Sequence, residues 1–433
     1  MSDLYRMSLV DAVTALLDGS LGARVYADAL LGRTNATDGD IRAWAFLDAD
    51  QVRHEADRHD SLSGERSPLH GVPIGLKDII HTRLQPTRMG SRAFDDFHPP
   101  REATCVERLH TAGAYAFGKT VTTEIAFLHP GKTRNPWNAR HTPGGSSQGS
   151  AAAVAAGHVP AALGTQTNGS VIRPAAYCGV VGFKPTLGAI PYDGVNLFSE
   201  TLDTLGAFTR SVADAALLAA HLADDGAIAP SPAPLDRAPR LAYLSDFPWT
   251  TVDCDADDTL DAAATKLRLS GADIIPVSLP DLLADAARVH RTIMLFEGAR
   301  NLGSLQHGSR AKLSTTLNAA LDEGARVDER GYRSALASRR AMIASATEWL
   351  GHYDALISPS APAGAPEGLD TTGDPSCCTL ASLLGAPAIT LPIGVDAKRL
   401  PLGMQLVALP RADDALLRIA AWCEAKLPFS GLV

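Results

Sequence analysis

No apolar stretch of this 433-residue chain is long enough to cross a bilayer. The opening segment MSDLYRMSLVDAV has acids where a secretory leader needs an apolar run. A cytoplasmic protein is expected. Cysteine is scarce: of the six, none forms a Cys-x-x-Cys pair, and the neighbours Cys377 and Cys378 lack zinc-ligand spacing. That argues against a zinc module and against a disulfide framework. There is no basic stripe either; the net charge is −9 and the pI about 5.8, so no nucleic-acid partner is expected. Repeats of solenoid length are missing. What remains is an apolar share of 45%, ample for a large core.

Periodicity predicts helices over 8–17, 22–31, 49–60, 104–112 and 151–156, with strands over 41–47, 69–80 and 114–118. Downstream, helices are expected over 212–222, 256–269, 281–300, 331–350 and 413–425. Strands are expected over 241–244, 274–277, 355–358, 388–391 and 404–408. Such alternation indicates an α/β fold, a mixed sheet with helices packed on it. The segment 223–239, rich in Pro, Asp and Ala, is the best candidate for a flexible crossing between two lobes.

Chemistry concentrates between residues 142 and 184. Gly144, Gly145, Ser146 and Ser147 stand at the mouth of an alanine-rich run, and Thr167, Asn168, Gly169 and Ser170 fall in a polar turn expected over 164–173. Glycine lets a backbone approach a ligand closely and adopt positive φ. Earlier in the chain, Lys77 sits among Ile74, Leu76, Ile79 and Ile80. A lysine in that company snorkels to water or is held inside for chemistry. Held inside, it becomes a usable base, because desolvation disfavours the ammonium and its pKa falls from about 10.4 toward roughly 7–8. A serine nucleophile needs such a base. A second serine between the two could hand the proton along.

These residues lie in motifs that resemble, in order, those of the amidase signature family of Ser-cisSer-Lys amide hydrolases. The family carries a Gly-Val-Pro strand ending in Lys-Asp, an Asn-Pro-Trp-Asn turn and a Gly-Gly-Ser-Ser-Gly-Gly-Ser loop. A Gly-Thr-Asp-Thr-Gly-Gly-Ser turn and a Cys-Gly-x-x-Gly-x-Lys-Pro-Thr segment follow. Here they read GVPIGLKD (71–78), NPWN (135–138), GGSSQGS (144–150), GTQTNGS (164–170) and CGVVGFKPT (178–186). Looser matches are GKTVTTEIAF (118–127) and LLGAPAITLPIG (383–394). The resemblance implies one amidase-signature domain over 1–433, with a catalytic core near 65–215 and a variable substrate-pocket region near 223–374. Its mixed β-sheet is covered by helices on both faces. It also implies Ser170 as nucleophile, Ser146 as the cis-serine and Lys77 as terminal base. The N–H groups of Thr167, Asn168, Gly169 and Ser170 would form the oxyanion hole. Ser147 would orient Lys77 or Ser146, and Ser147, Gly144 and Gly145 would join Arg173 among the substrate-binding residues. No metal or organic cofactor is implied. The partner expected is a small-molecule amide, with a second copy of the chain, as a homodimer, left open.

Three departures stand out. Asn168 replaces a glycine beside the oxyanion site, where asparagine tolerates positive φ better than most residues. Gln148 replaces another. Arg173 falls three residues after Ser170 where many members place arginine at the second, a step that in extended chain turns the side chain to the other face. A guanidinium there could fork onto a substrate carboxylate, as in the malonamidase-like branch. Other readings stay open: an amidase for neutral aliphatic or aryl amides, the catalytic subunit of a tRNA-dependent amidotransferase, or an inactive binding paralogue. Residues 145–149 also fit Gly-x-Ser-x-Gly, but that elbow needs a strand before it and a histidine partner. His221, His290, His307 and His352 have no distinctive setting in the sequence.

Overall fold

The computed structural model describes residues 3–224, 226–429 and 431. Its strands are β1 (Trp44–Phe46), β2 (Pro73–Lys77), β3 (Tyr115–Thr120), β4 (Ala161–Gln166), β5 (Val181–Lys184) and β6 (Thr204–Thr209). They continue as β7 (Arg240–Tyr243), β8 (Asp273–Pro276), β9 (Ala355–Pro359), β10 (Ala388–Val395) and β11 (Pro401–Val407). All belong to one 11-stranded sheet ordered β1-β3-β2-β4-β6-β5-β10-β11-β9-β7-β8. Pairing is parallel where β2 lies between β3 and β4 and where β7 lies between β8 and β9, and antiparallel elsewhere. The sheet is therefore mixed, as expected. Every residue of β2, β4, β5 and β6 is buried, so both faces of the sheet's central strands are covered.

Some expectations moved. The helix expected over 22–31 runs on as Ala23–Ile41, which shortens the strand expected over 41–47 to Trp44–Phe46. The helix expected at 281–300 is a short 3-10 turn, Asp281–Leu283, followed by a long helix, Ala286–Ser309. Segment 223–239 does not separate one sheet from another, because β10 after it pairs directly with β5 before it in the same sheet. Strands β4 and β6 and helix Thr315–Gly324 were not expected from periodicity.

The alanine-rich helix is Gln148–Ala155, and all eight of its residues are buried. Small side chains let its axis come close to the strands beneath it. Ser150 Oγ donates to the Leu163 carbonyl of β4 at 2.9 Å and lies 2.7 Å from Thr120 Oγ1 of β3. Approach is tightest at Gly149, where an added Cβ would stand 2.2 Å from the Ala43 carbonyl oxygen and 2.4 Å from Val121 N. This contact fixes the chain just after the two serines.

Gly149→Ala should therefore destabilise the fold by roughly 1–3 kcal/mol or more, since both clashing atoms are backbone. Gly32 lies within helix Ala23–Ile41 with nothing inside 4 Å of its would-be Cβ. Gly32→Ala should stabilise by ~0.4–1 kcal/mol. Thermal unfolding of the two variants checks both signs; a neutral Gly149→Ala would disprove the close approach.

Candidate active site

Lys77 is the last residue of β2, at the carboxyl end of the parallel strands, where open α/β sheets place their ligands. Its side chain is 0% exposed, and Nζ donates to Ser146 Oγ and to Thr165 Oγ1, each at 2.7 Å. Both partners are neutral hydroxyls. Burial pushes the Lys77 pKa down to about 7, against a small upward pull from the charge of Asp203. A second buried lysine, Lys119, sits on β3 in register with Leu76, so it projects from the opposite face of the sheet. Lys119 Nζ donates to the Ile80 carbonyl and Thr87 Oγ1 and faces Asp78 at 3.7 Å. Burial lowers its pKa as well.

Ser146 follows the one cis peptide among the described residues, Gly145–Ser146. Gly144 has φ +85°, and a Cβ there would lie 2.8 Å from Pro174 Cα. One at Gly145 would meet Thr372 Cγ2 at 2.7 Å. The two glycines are thus needed for packing, and neither lines the cavity described below. Ser147 also has a different place from the one expected. Its Oγ donates to the Thr165 carbonyl and accepts from Thr165 N–H, each at 3.2 Å, and touches neither Lys77 nor Ser146. It fastens the serine loop to the end of β4. Gln148 Oε1 accepts from Gly131 N–H, holding the loop from its other side.

The polar turn expected over 164–173 is three things: residues 164–166 finish β4, 167–171 turn, and a helix begins at Ile172 (Ile172–Cys178). Arg173 accordingly stands in the first turn of a helix, and the alternation of an extended chain does not apply to it. Asn168 is not among the residues with positive φ, so its tolerance for that region goes unused. Its Oδ1 accepts instead from Thr379 Oγ1 at 3.0 Å. The carbonyls of Thr167, Asn168 and Gly169 all have protein donors: Thr167 O from His290 Nε2 at 3.0 Å, Asn168 O from Ser382 Oγ, and Gly169 O from Arg173 N at 3.0 Å. The N–H groups of residues 167–170 donate to no backbone carbonyl of the described residues. Gln166 occupies the position where the family motif has aspartate, a fourth departure. Its Oε1 accepts from Val171 and Ile172 N–H at 2.9 and 3.0 Å, and its Nε2 donates to Ser382 Oγ at 3.0 Å.

Ser146, Thr167, Asn168, Gly169, Ser170 and Arg173 line one cavity of about 500 Å³. Lys77 lies behind Ser146 and reaches the cavity only through it. The lining also includes apolar side chains, among them Phe127 and Phe198, stacked at 5.1 Å, and Met294. Arg291, Met294, Thr316 and residues 370–373, all within the stretch 223–374 expected to build the substrate pocket, also line it. Arg173 is 2% exposed; it donates to the carbonyls of Gly373 (2.9 Å) and Gly145 (2.7 Å) and to Thr372 Oγ1 (3.2 Å), while Nε has no partner. No carboxylate among the described residues pairs with it, and burial lowers its pKa. Nothing in residue type or spacing singles out His290, Thr372 or Ser382, while Thr165 and Gln166 are marked only as members of the GTQTNGS motif.

The Amidase family matches residues 26–417 of this chain. The A subunit of glutamyl-tRNA(Gln) amidotransferase from Synechococcus sp. (strain WH7803) is 34% identical over 471 residues, covering 96% of each chain. Among solved structures, one described as amidase aligns with a TM-score of 0.89 at 32% identity, over 97% of this chain and 100% of that one. The structure of 6-aminohexanoate cyclic dimer hydrolase aligns at 0.88 and 25% identity, over 99% and 98%. Described residues include no helix long and apolar enough to cross a membrane. Matched in sequence and in fold along nearly its whole length, this chain belongs to the amidase signature family and is an amide-hydrolysing enzyme.

Proposed function

We propose that this amidase hydrolyses a small carboxamide that also bears a carboxylate, releasing ammonia or an amine through an acyl-Ser170 intermediate. The observation that carries the reading is the Lys77–Ser146 hydrogen bond, made by a fully buried lysine whose partners are both neutral. With a pKa near 7 the amine is neutral for much of its time at physiological pH and can take a proton. Ser170 gives up its proton to Ser146 as its Oγ attacks the amide carbon, and Ser146 passes its own to Lys77. The carbonyl oxygen becomes an oxyanion and accepts from the N–H groups of Thr167, Asn168, Gly169 and Ser170. The same relay run backwards protonates the leaving nitrogen. Water then attacks the acyl-serine with the relay again as base and frees the acid.

Substrate class rests on Arg173. A buried guanidinium whose hydrogen-bond partners are all neutral, with the Asp374 carboxylate acting on it only without direct contact, is an incompletely balanced charge, and buried charges are normally paired. An entering carboxylate would supply the missing charge. The apolar side chains of Phe127, Phe198 and Met294 suit the short carbon skeleton between the two ends. A second reading is favoured by the 34% identity to an amidotransferase A subunit: a catalytic subunit working on glutamyl-tRNA with partners.

Ammonia release from malonamate-like amide acids, neutral aliphatic amides and aryl amides, each with Ser170→Ala alongside, tests the assignment. Turnover of the acids alone, abolished in the variant, is the expected result. Turnover of neutral amides only would remove the carboxylate, and silence across the panel would favour the amidotransferase reading. Lys77→Met should lower kcat by on the order of 10³-fold or more with circular dichroism unchanged. In the parent enzyme kcat/KM should climb with pH through about 7, as Lys77 loses its proton; a flat profile there would exclude a lysine base. Arg173→Met should raise KM for an amide acid roughly tenfold or more beyond the rise for its neutral isostere. An equal rise for both would assign Arg173 to packing alone.

A further inference from the structure

His290 and Ser382 are buried, lie outside the cavity, and each holds one carbonyl of the turn that carries Ser170. In a trans peptide the C=O and N–H bonds point in opposite directions. Fixing the Thr167 carbonyl therefore fixes the direction of the Asn168 N–H, and fixing the Asn168 carbonyl fixes that of the Gly169 N–H. A carbonyl can only accept, so His290 must carry its hydrogen on Nε2. The ring is 1% exposed, and burial pushes its pKa down to about 4, so it is neutral and this tautomer is set by the bond itself. Ser382 is set in the same manner. Its Oγ accepts from Gln166 Nε2, which leaves its one hydrogen for the Asn168 carbonyl. Gln166 is itself anchored by two backbone donors at the start of helix Ile172–Cys178.

We propose that His290 and Ser382 are positioning residues for catalysis. They aim the Asn168 and Gly169 N–H groups at the oxygen that becomes negative, and they strengthen those donors by polarising the same peptides from the carbonyl end. This rests on the reading that Ser170 is acylated. An oxyanion site gains its effect from donors already in place before charge develops. A turn with four consecutive N–H groups lacking backbone partners would otherwise be free to rotate its peptides and satisfy them internally. His290 comes from helix Ala286–Ser309 and Ser382 from helix Thr379–Leu384, both outside the run 142–184. Segments outside the run 142–184 would thus set the catalytic geometry as well as line the pocket.

The test uses p-nitrophenyl acetate, whose leaving group needs no proton, together with the amide that the parent enzyme turns over best. His290→Ala should lower kcat for both on the order of 10- to 100-fold with KM within about twofold. His290→Gln, which keeps an N–H at similar reach, should recover most of the loss. Ser382→Ala should act alike on the neighbouring peptide and decides the matter if His290→Ala melts early. The proposal is overturned if kcat stands, if KM rises in its place, or if the alanine and glutamine variants are equally impaired. A Ser170→Ala enzyme that still turns over would instead defeat the acyl-serine reading, so the two failures are separable.

Discussion

Lys77 is shut away from bulk solvent with no carboxylate against it, only two hydroxyl oxygens at 2.7 Å. An ammonium in such a place is poorly stabilised, and the amine is correspondingly ready to exist without its proton. The remainder of the site is arranged around keeping it so. Ser146 stands in front as its one route to the cavity, and Thr165 supports it from β4. The buried carboxylate of Asp203 binds Thr167 Oγ1 and two backbone N–H groups rather than the lysine. A carboxylate moved into direct contact with Nζ would keep the proton on the lysine and end its use as a base.

That arrangement needs close placement of segments far apart in the chain. The serine loop is held by Gln148 against Gly131, by Ser147 against Thr165, and by Arg173 at the Gly145 carbonyl. Arg173 also reaches across to Gly373 and Thr372, so one side chain joins the loop before Ser146 to the cavity wall. Below them helix Gln148–Ala155 lies on the sheet with no side chain larger than glutamine. Rigidity comes from close backbone approach there, and from hydrogen bonds in the layer above it.

The burial of the strand that carries Lys77 was legible from its apolar neighbours Ile74, Leu76, Ile79 and Ile80, all fully buried. Those neighbours left open whether the lysine snorkels or is held inside, and only the motif resemblance made it a base. The glycine and serine runs were legible because few interiors require so many small polar residues together. The strands β4 and β6 were not: Ala161, Ala162 and Gly164, and Gly206 and Ala207, carry neither β-branching nor alternation, and burial on both faces erases a two-residue period. The setting of Arg173 misled for a related reason, since a turn and the first turn of a helix share the same glycine-rich spelling. His290 and Ser382 could not be read at all. They act through backbone carbonyls 123 and 214 residues away, and a backbone partner leaves no trace in residue type.

Two buried lysines standing back to back across one sheet have a thermodynamic side. In the unfolded chain each holds its proton up to about pH 10.5, whereas in the folded protein Lys77 gives it up near 7 and Lys119 is also lowered. Below the folded value both states are charged and the native state bears the full penalty. As pH rises toward 10.5 the unfolded state loses its advantage in protons bound, and the penalty fades. The native state is thus favoured by alkali on account of the same groups. The amine suited to catalysis is, for folding, a liability that the surrounding core must outweigh.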